Sequence, residues 1–198
     1  PCNGLCDEYS ALPENVKNGI LFGSAGAVLA LAVVEEACVK SNTISNGHEF
    51  NAIYREFGRG TYMEASQVLD FDNRVFAKSI VEFRQQFKIE DDKIDFYLFN
   101  QSQRLILDAI IEEAGLEKEK VLESLSKFAN TSAASLILTA CFNRELIQEK
   151  EMVNIMFAAT GSGLTCGEVY AEIDTNTIFS IVETDEHYDE YKHPCGAL

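Results

Sequence analysis

Phe128-Ala129-Asn130-Thr131-Ser132-Ala133-Ala134-Ser135 is the stretch on which the reading of this chain turns. Asn130, Thr131 and Ser132 carry side-chain oxygens that accept from the free N–H groups of a helix start. A helix is therefore predicted from here to about residue 147. Its first two turns (Ser132-Ala133-Ala134-Ser135) are small, so another backbone can approach closely. The opening places polar groups at the end of an element, where loops converge on a site.

Working outward, residues 94–99 (IDFYLF) form a short, almost wholly apolar run, which suits a strand buried on both faces of a sheet. The run ends in Asn100-Gln101-Ser102 and leads directly into a predicted helix over 101–114. Leu105, Ile106, Ala109 and Ile110 lie on its apolar side, and Gly115 is placed as its C-cap. Upstream, Val75, Phe76, Ile80, Phe83 and Phe87 recur at three- and four-residue steps and predict a helix over 72–87, stopped by Asp91-Asp92. A further helix is predicted over 117–128. Downstream, 153–158 reads as a buried strand, 161–167 as a glycine turn and 168–173 as a returning strand. Nearer the N-terminus, 20–22 and 27–34 read as strands around a turn at Gly23–Gly26, and 38–61 reads as a loop marked by Asn42, Asn46 and Gly47. Helices alternating with buried strands define a layered α/β class. The organisation expected is an irregular leader (1–15), one domain (16–174) and an acidic tail (175–198).

Composition narrows the partners. Hydrophobic residues make up 46% of the 198, enough to bury a core. The net charge of −16 repels nucleic acid and anionic membrane surfaces, so neither is expected as a partner. Residues 19–34 are the most apolar run, but Gly23, Ser24 and Gly26 interrupt it, and no membrane span or signal peptide is expected. The six cysteines (Cys2, Cys6, Cys38, Cys141, Cys166, Cys195) then read as free thiols of a cytoplasmic protein. The Cys2/Cys6 spacing and the His187, His193, Cys195 group are weak metal patterns, and no metal is expected at either.

Three segments carry the chemistry: Asn100-Gln101-Ser102 after a strand, residues 128–135 before a helix, and Ala159-Thr160-Gly161-Ser162-Gly163-Leu164-Thr165-Cys166-Gly167 between two strands. In this order they resemble the β-ketoacyl-acyl-carrier-protein synthase III family of thiolase-like condensing enzymes. There the strand ends in His-Gln-(Ala/Ser)-Asn, the helix opens Gly-Asn-Thr-Ser-(Ala/Ser)-Ala-Ser, and the last turn reads Gly-Gly-Gly-(Phe/Leu)-Thr-Trp-Gly. Residues 20–28 (ILFGSAGAV) look like the family's Leu-Phe-Gly-Asp-Gly-Ala-Gly-Ala-Val turn, and Tyr62-Met63-Glu64 like its Tyr-Met-(Asp/Asn)-Gly. The resemblance runs from about residue 16 to 173.

The resemblance implies the second half of a doubled thiolase fold: a five-stranded mixed sheet with helices on both faces. It implies a 3-oxoacyl-[acyl-carrier-protein] synthase III-like acyltransferase of Claisen condensation, in fatty acid or polyketide synthesis. It needs no cofactor and takes an acyl-CoA or acyl-carrier-protein thioester as substrate. The family's nucleophile is a cysteine opening the buried helix of the first half. None of Cys38, Cys141 and Cys166 matches it, so the chain alone is expected to be inactive. Its expected partners are an N-terminal thiolase-like half on the same or another polypeptide, carrier protein or coenzyme A thioester, and a second copy of itself, because the 130–147 helix lacks its mate.

The implied catalytic residues are Asn130, matching the family's Asn, and Asn100, standing where the family has His. In the family these two donate hydrogen bonds to a thioester carbonyl and stabilise the enolate formed on decarboxylation. An amide at residue 100 still donates but takes up no proton near neutral pH, which puts efficient decarboxylation in doubt. Gln101, Ser132, Gly161, Gly163 and Gly167 are the implied substrate-binding positions. Bland alternatives stand beside each: Asn130 as a plain N-cap, Asn100 as a strand-end turn residue, the glycines as a tight turn. Cys166 is either a thiol near the site or a filler, and His48 a surface residue rather than a replacement base. Arg55, Arg59, Arg74, Lys78 and Arg84 are either a patch for an acidic carrier or scattered solvated charges. A non-catalytic subunit that completes a competent enzyme's pocket is the alternative for the whole chain.

Overall fold

The structure is a computed structural model and describes residues 21–23, 25–32, 39–55 and 61–184. Cys2, Cys6, Cys38, Arg59, His187, His193, Cys195, the leader, and residues 33–34 of the second expected strand lie outside the described residues.

Seven strands are described: β1 (Val39–Ser45), β2 (Ile53–Arg55), β3 (Thr61–Met63), β4 (Phe96–Phe99), β5 (Val121–Leu122), β6 (Met152–Gly161) and β7 (Thr165–Asp174). Five make one mixed sheet in the order β1-β7-β6-β4-β5, and β2 and β3 form a separate hairpin-like pair. β4 runs parallel to β5 and β6, with Phe99 opposite Ala158, while β7 is antiparallel to both β6 and β1. The expected five-stranded mixed sheet is present.

The α-helices are α1 (Ala65–Phe71), α2 (Ala77–Phe87), α3 (Arg104–Glu113), α4 (Leu125–Phe128), α5 (Ser135–Phe142) and α6 (Arg144–Ile147), and a π-helical turn (Asp72–Phe76) joins α1 to α2. Side chains alternate across a strand, so each buried strand feeds two cores. Tyr97 and Phe99 of β4 and Met156 and Ala158 of β6 pack with Phe76, Ile80 and Phe83 of the π turn and α2 and with Ile106, Leu107 and Ile110 of α3. Leu98 and Ile155, one residue out of step, face the opposite way and pack with Ala140 of α5, Ile147 of α6 and Leu122 of β5. Helices therefore cover both faces. Among the described residues no helix is long and apolar enough to cross a membrane.

Several boundaries differ from the sequence expectation. Residues 27–32 form no strand; Val28 and Leu31 are 85% and 86% exposed, because no edge of the described sheet takes them. The expected loop over 38–61 contains β1, a polar edge strand whose partner is the long β7. The expected helix over 117–128 is instead a 3₁₀ turn (Lys118–Lys120), β5 and the short α4. Glu117–Lys120 favour a helix locally, yet Val121-Leu122 gain more by extending the sheet beside Tyr97 and Leu98. The helix over 130–147 is a 3₁₀ turn followed by α5 and α6, broken at Asn143, whose Nδ2 donates to the carbonyls of Glu123 and Thr139. The helix expected from residue 72 begins at Ala65. Gly115 does close α3: it sits at φ +63°, and the Leu116 N–H donates to Ile111 O over 2.9 Å. Within the segment expected as tail, Ile178 is buried and its carbonyl accepts from Arg144 Nε over 2.8 Å.

Candidate active site

β4 ends at Phe99, and the sheet carries Asn100 just past its edge. The Asn100 N–H donates to Ala158 O over 3.2 Å, and its Oδ1 accepts from the Thr160 N–H over 3.1 Å. Both anchors belong to β6, so the carboxamide is fixed by the neighbouring strand. Asn130 is fixed differently. It pairs with Phe22 in an isolated parallel bridge, donating to Leu21 O over 3.0 Å and accepting from the Gly23 N–H over 2.9 Å. Its Oδ1 accepts from the Ser132 N–H over 2.8 Å, a local turn just ahead of the 3₁₀ turn whose N-cap position is Thr131, not Asn130. In both residues the amide oxygen is committed to a backbone N–H, so the nitrogen is the group left to donate.

Asn100 and Asn130 line one cavity of about 520 Å³. Ser132, Gly161, Ser162 and Thr160 join them, and Phe22, Ile53, Met63, Phe71, Leu136 and Leu164 supply apolar wall. Two amide donors on a mostly apolar wall can hold a carbonyl oxygen and an acyl chain beside it. Two flanking residues hold positive φ without being glycine: Ala129 (φ 56°, ψ −160°) and Ser132 (φ 52°).

Three of the expected substrate-binding positions do not line the cavity. Gln101 is fully buried. Its Oε1 accepts from the Ser124 and Leu125 N–H groups over 2.9 and 3.1 Å, and its Nε2 donates to Phe99 O over 2.9 Å. The amide is spent on structure. Gly163 lies in the turn between β6 and β7 but packs on Thr165, and Gly167 lies on β7 against Asn42 and Thr43 of β1.

Cys166 is 1% exposed, and burial pushes its thiol up to about 11, so it is a filler and not a reactive thiol. It lies 3.6 Å from Ser79 Oγ, which also donates to Glu168; burial raises the Glu168 carboxyl above its ordinary value. Of the five basic residues weighed as a patch, three have described side chains, and each of these is paired. Arg74 pairs with Asp70 and Lys78 with Glu82, while Arg84 is held by Asp91, the Tyr97 hydroxyl and Ala114 O. His48 sits in an exposed 3₁₀ turn, its N–H donating to Asn46 Oδ1.

One cavity residue was missed from sequence. Asp72, in the π turn, is 1% exposed and lines the cavity. Neither carboxylate oxygen has a hydrogen-bond partner. Burial lifts it to about 6; the Thr160 hydroxyl lies near enough to favour the charged form without reaching hydrogen-bonding geometry. The signal was present: Asp72 precedes Phe76 by four residues and Ile80 by eight, on the apolar stripe, where an acid has no structural reason to be.

Residues 85–173 match the family described as 3-oxoacyl-[acyl-carrier-protein (ACP)] synthase III C terminal. The β-ketoacyl-[acyl-carrier-protein] synthase III of Streptococcus uberis is 30% identical over 113 residues, covering 56% of this chain and 35% of that protein. The same enzyme of Streptococcus pyogenes serotype M49 is 34% identical over 113 residues, with the same shares. The matched region thus spans about a third of these relatives' length. The crystal structure of 3-oxoacyl-(acyl carrier protein) synthase III from Pseudomonas aeruginosa PAO1 superposes with a TM-score of 0.68 at 19% identity, covering 90% of this chain and 56% of that one. That of the synthase III from Thermus thermophilus gives 0.68 at 21%, covering 78% and 52%. Likeness at these identities shows a shared thiolase-like fold.

Proposed function

Because the chain belongs, through its C-terminal domain, to the β-ketoacyl-acyl-carrier-protein synthase III family, we propose that it is the thioester-carbonyl-binding portion of an acyltransferase of that kind. The observation that carries this reading is that Asn100 and Asn130 line one mostly apolar cavity, each with its amide oxygen held by a backbone N–H, which leaves the amide nitrogen to donate. A cysteine-bearing thiolase-like half, on the same or another polypeptide, supplies the nucleophile that takes the acyl group from a coenzyme A or carrier-protein thioester. The carbonyl then lies against Asn130 and Asn100, whose N–H donors oppose the charge that develops on its oxygen. No cofactor takes part in these steps. Asn100 cannot move a proton at neutral pH, so acyl binding and transfer are favoured over efficient decarboxylative condensation.

The test is acyl transfer by the native assembly containing this chain. Asn130→Ala lowers the rate by about 10²–10³; an unchanged rate overturns the assignment. Asn100 in place of His favours the second reading, a non-catalytic subunit that completes the pocket of a competent enzyme. Asn100→His with malonyl decarboxylation as readout separates the two. A wild-type assembly that already decarboxylates at the variant's rate removes the second reading. A second copy of the chain is a further proposed partner, since Leu105, Phe142 and Leu146 stand exposed on α3, α5 and α6. Light scattering that returns a monomer at micromolar concentration counts against it.

A further inference from the structure

We propose that Asp72 makes the cavity selective for uncharged acyl groups and excludes acyl groups that end in a carboxylate. The proposal rests on the thioester-binding role given above and names the substrate class of that site. Three observations carry it. Asp72 is 1% exposed, and neither of its oxygens has a hydrogen-bond partner, yet it forms part of the cavity wall with Asn100 and Thr160. Among the described residues that line the cavity there is no lysine, arginine or histidine; Tyr54 is the other titratable group on the wall. The basic side chains nearest in sequence, Arg74 and Lys78, are paired outward with Asp70 and Glu82 at exposed positions.

Among the described residues of the wall, a second carboxylate brought into this space meets one carboxylate and no basic side chain, on a surface that is mostly apolar. Like charges beside a buried, mostly apolar wall repel more strongly than in bulk water. An uncharged acyl group meets no such penalty, and Asp72 can hold its proton beside it. β7, packed beneath the π turn, adds Cys166 and Glu168. The first stays a neutral thiol, and the second is engaged by Ser79, so neither supplies a cation. With burial holding the Asp72 carboxyl near 6, the exclusion is strong at pH 8 and weak at pH 5.

The experiment titrates the chain with acetyl-pantetheine and with malonyl-pantetheine by ligand-observed NMR at pH 5 and pH 8, for the wild type and for Asp72→Asn. The malonyl carboxylate is ionised at both pH values. The wild type at pH 8 binds the acetyl probe at least about tenfold more tightly than the malonyl probe. The ratio falls to about threefold or less at pH 5, and Asp72→Asn brings it near one at both. Wild-type binding of the two probes within twofold at pH 8 overturns the proposal while leaving the thioester site standing. So does a preference that survives in a folded Asp72→Asn. Binding of neither probe overturns the site and the proposal together. The wild-type pH comparison decides the matter even where the variant does not fold.

Discussion

The backbone N–H of Gln101 donates to Ser135 Oγ over 3.2 Å, and this bond ties the residue after Asn100 to the helix after Asn130. Ser135 Oγ in turn donates to Ser132 O over 2.6 Å. Both Gln101 and Ser135 are fully buried. The spacing of the two amides across the cavity is therefore set by a pair of residues that never touch it. Ser135→Ala removes the acceptor and leaves the Gln101 N–H buried without a partner. The expected loss is about 1–3 kcal/mol, read as a lower urea midpoint at unchanged m-value. A variant as stable as the wild type would show that the bond does not position the loop.

Ala129 holds φ 56° and ψ −160°, a region that glycine enters freely and a Cβ opposes. It immediately precedes Asn130, so the strained residue sets the direction of that amide. Ala129→Gly relieves a strain of about 1–3 kcal/mol and adds back about 0.5–1 kcal/mol of unfolded-chain entropy. A net gain of about 1 kcal/mol in urea unfolding is expected. A loss of stability would mean that the alanine methyl packs usefully.

The sequence was most legible where burial is two-sided. β4 and β6 announce themselves because residues such as Phe96, Leu98, Ile155 and Met156 keep their cores apolar. β1 reads as loop since Lys40, Ser41 and Thr43 face water at the sheet edge, and pairing with β7 is decided by the tertiary fold. β5 is two residues long and sits in a Glu- and Lys-rich segment whose local preference is helical. At the site, Asn100 and Asn130 were visible as the ends of recognisable motifs. Gln101 stood in the same motif but turned out to serve the backbone, and nothing in a linear motif separates a lining amide from a bracing one. Asp72 reads as a helix start, because the π turn that carries it has no signature of its own.

Gly23 is a close approach that its side-chain-free backbone permits. A Cβ there would come within 2.0 Å of Phe128 O, a backbone atom that cannot step aside. Gly23→Ala should detach residues 21–23 from Asn130 and break the bond from the Asn130 N–H to Leu21 O. Hydrogen exchange at the Asn130 amide is the direct readout, with protection expected to fall about tenfold or more. Unchanged protection would mean that Leu21 is not what holds this amide.

Asp72 sets a pH dependence of stability whose sign follows from its burial. Its carboxyl titrates at 3.8 when unperturbed and at about 6 in the fold. Between these values the folded chain keeps a proton that the unfolded chain has released, so rising pH favours unfolding. The stabilisation is complete below 3.8 and is lost as pH rises through about 6, amounting to about 3 kcal/mol. Glu168, also raised by burial, acts in the same direction, whereas Asp95 acts in the opposite one: burial works to raise it, but the Lys150 ammonium and the Asn154 N–H hold it below its ordinary value. The difference between wild type and Asp72→Asn isolates the one group, since the amide cannot ionise. Urea unfolding at half-unit steps from pH 4 to pH 8 should show the variant gaining on the wild type through this range and levelling off above about 7. A flat difference curve would mean that Asp72 is ionised throughout and solvated, and that the cavity wall carries no buried acid.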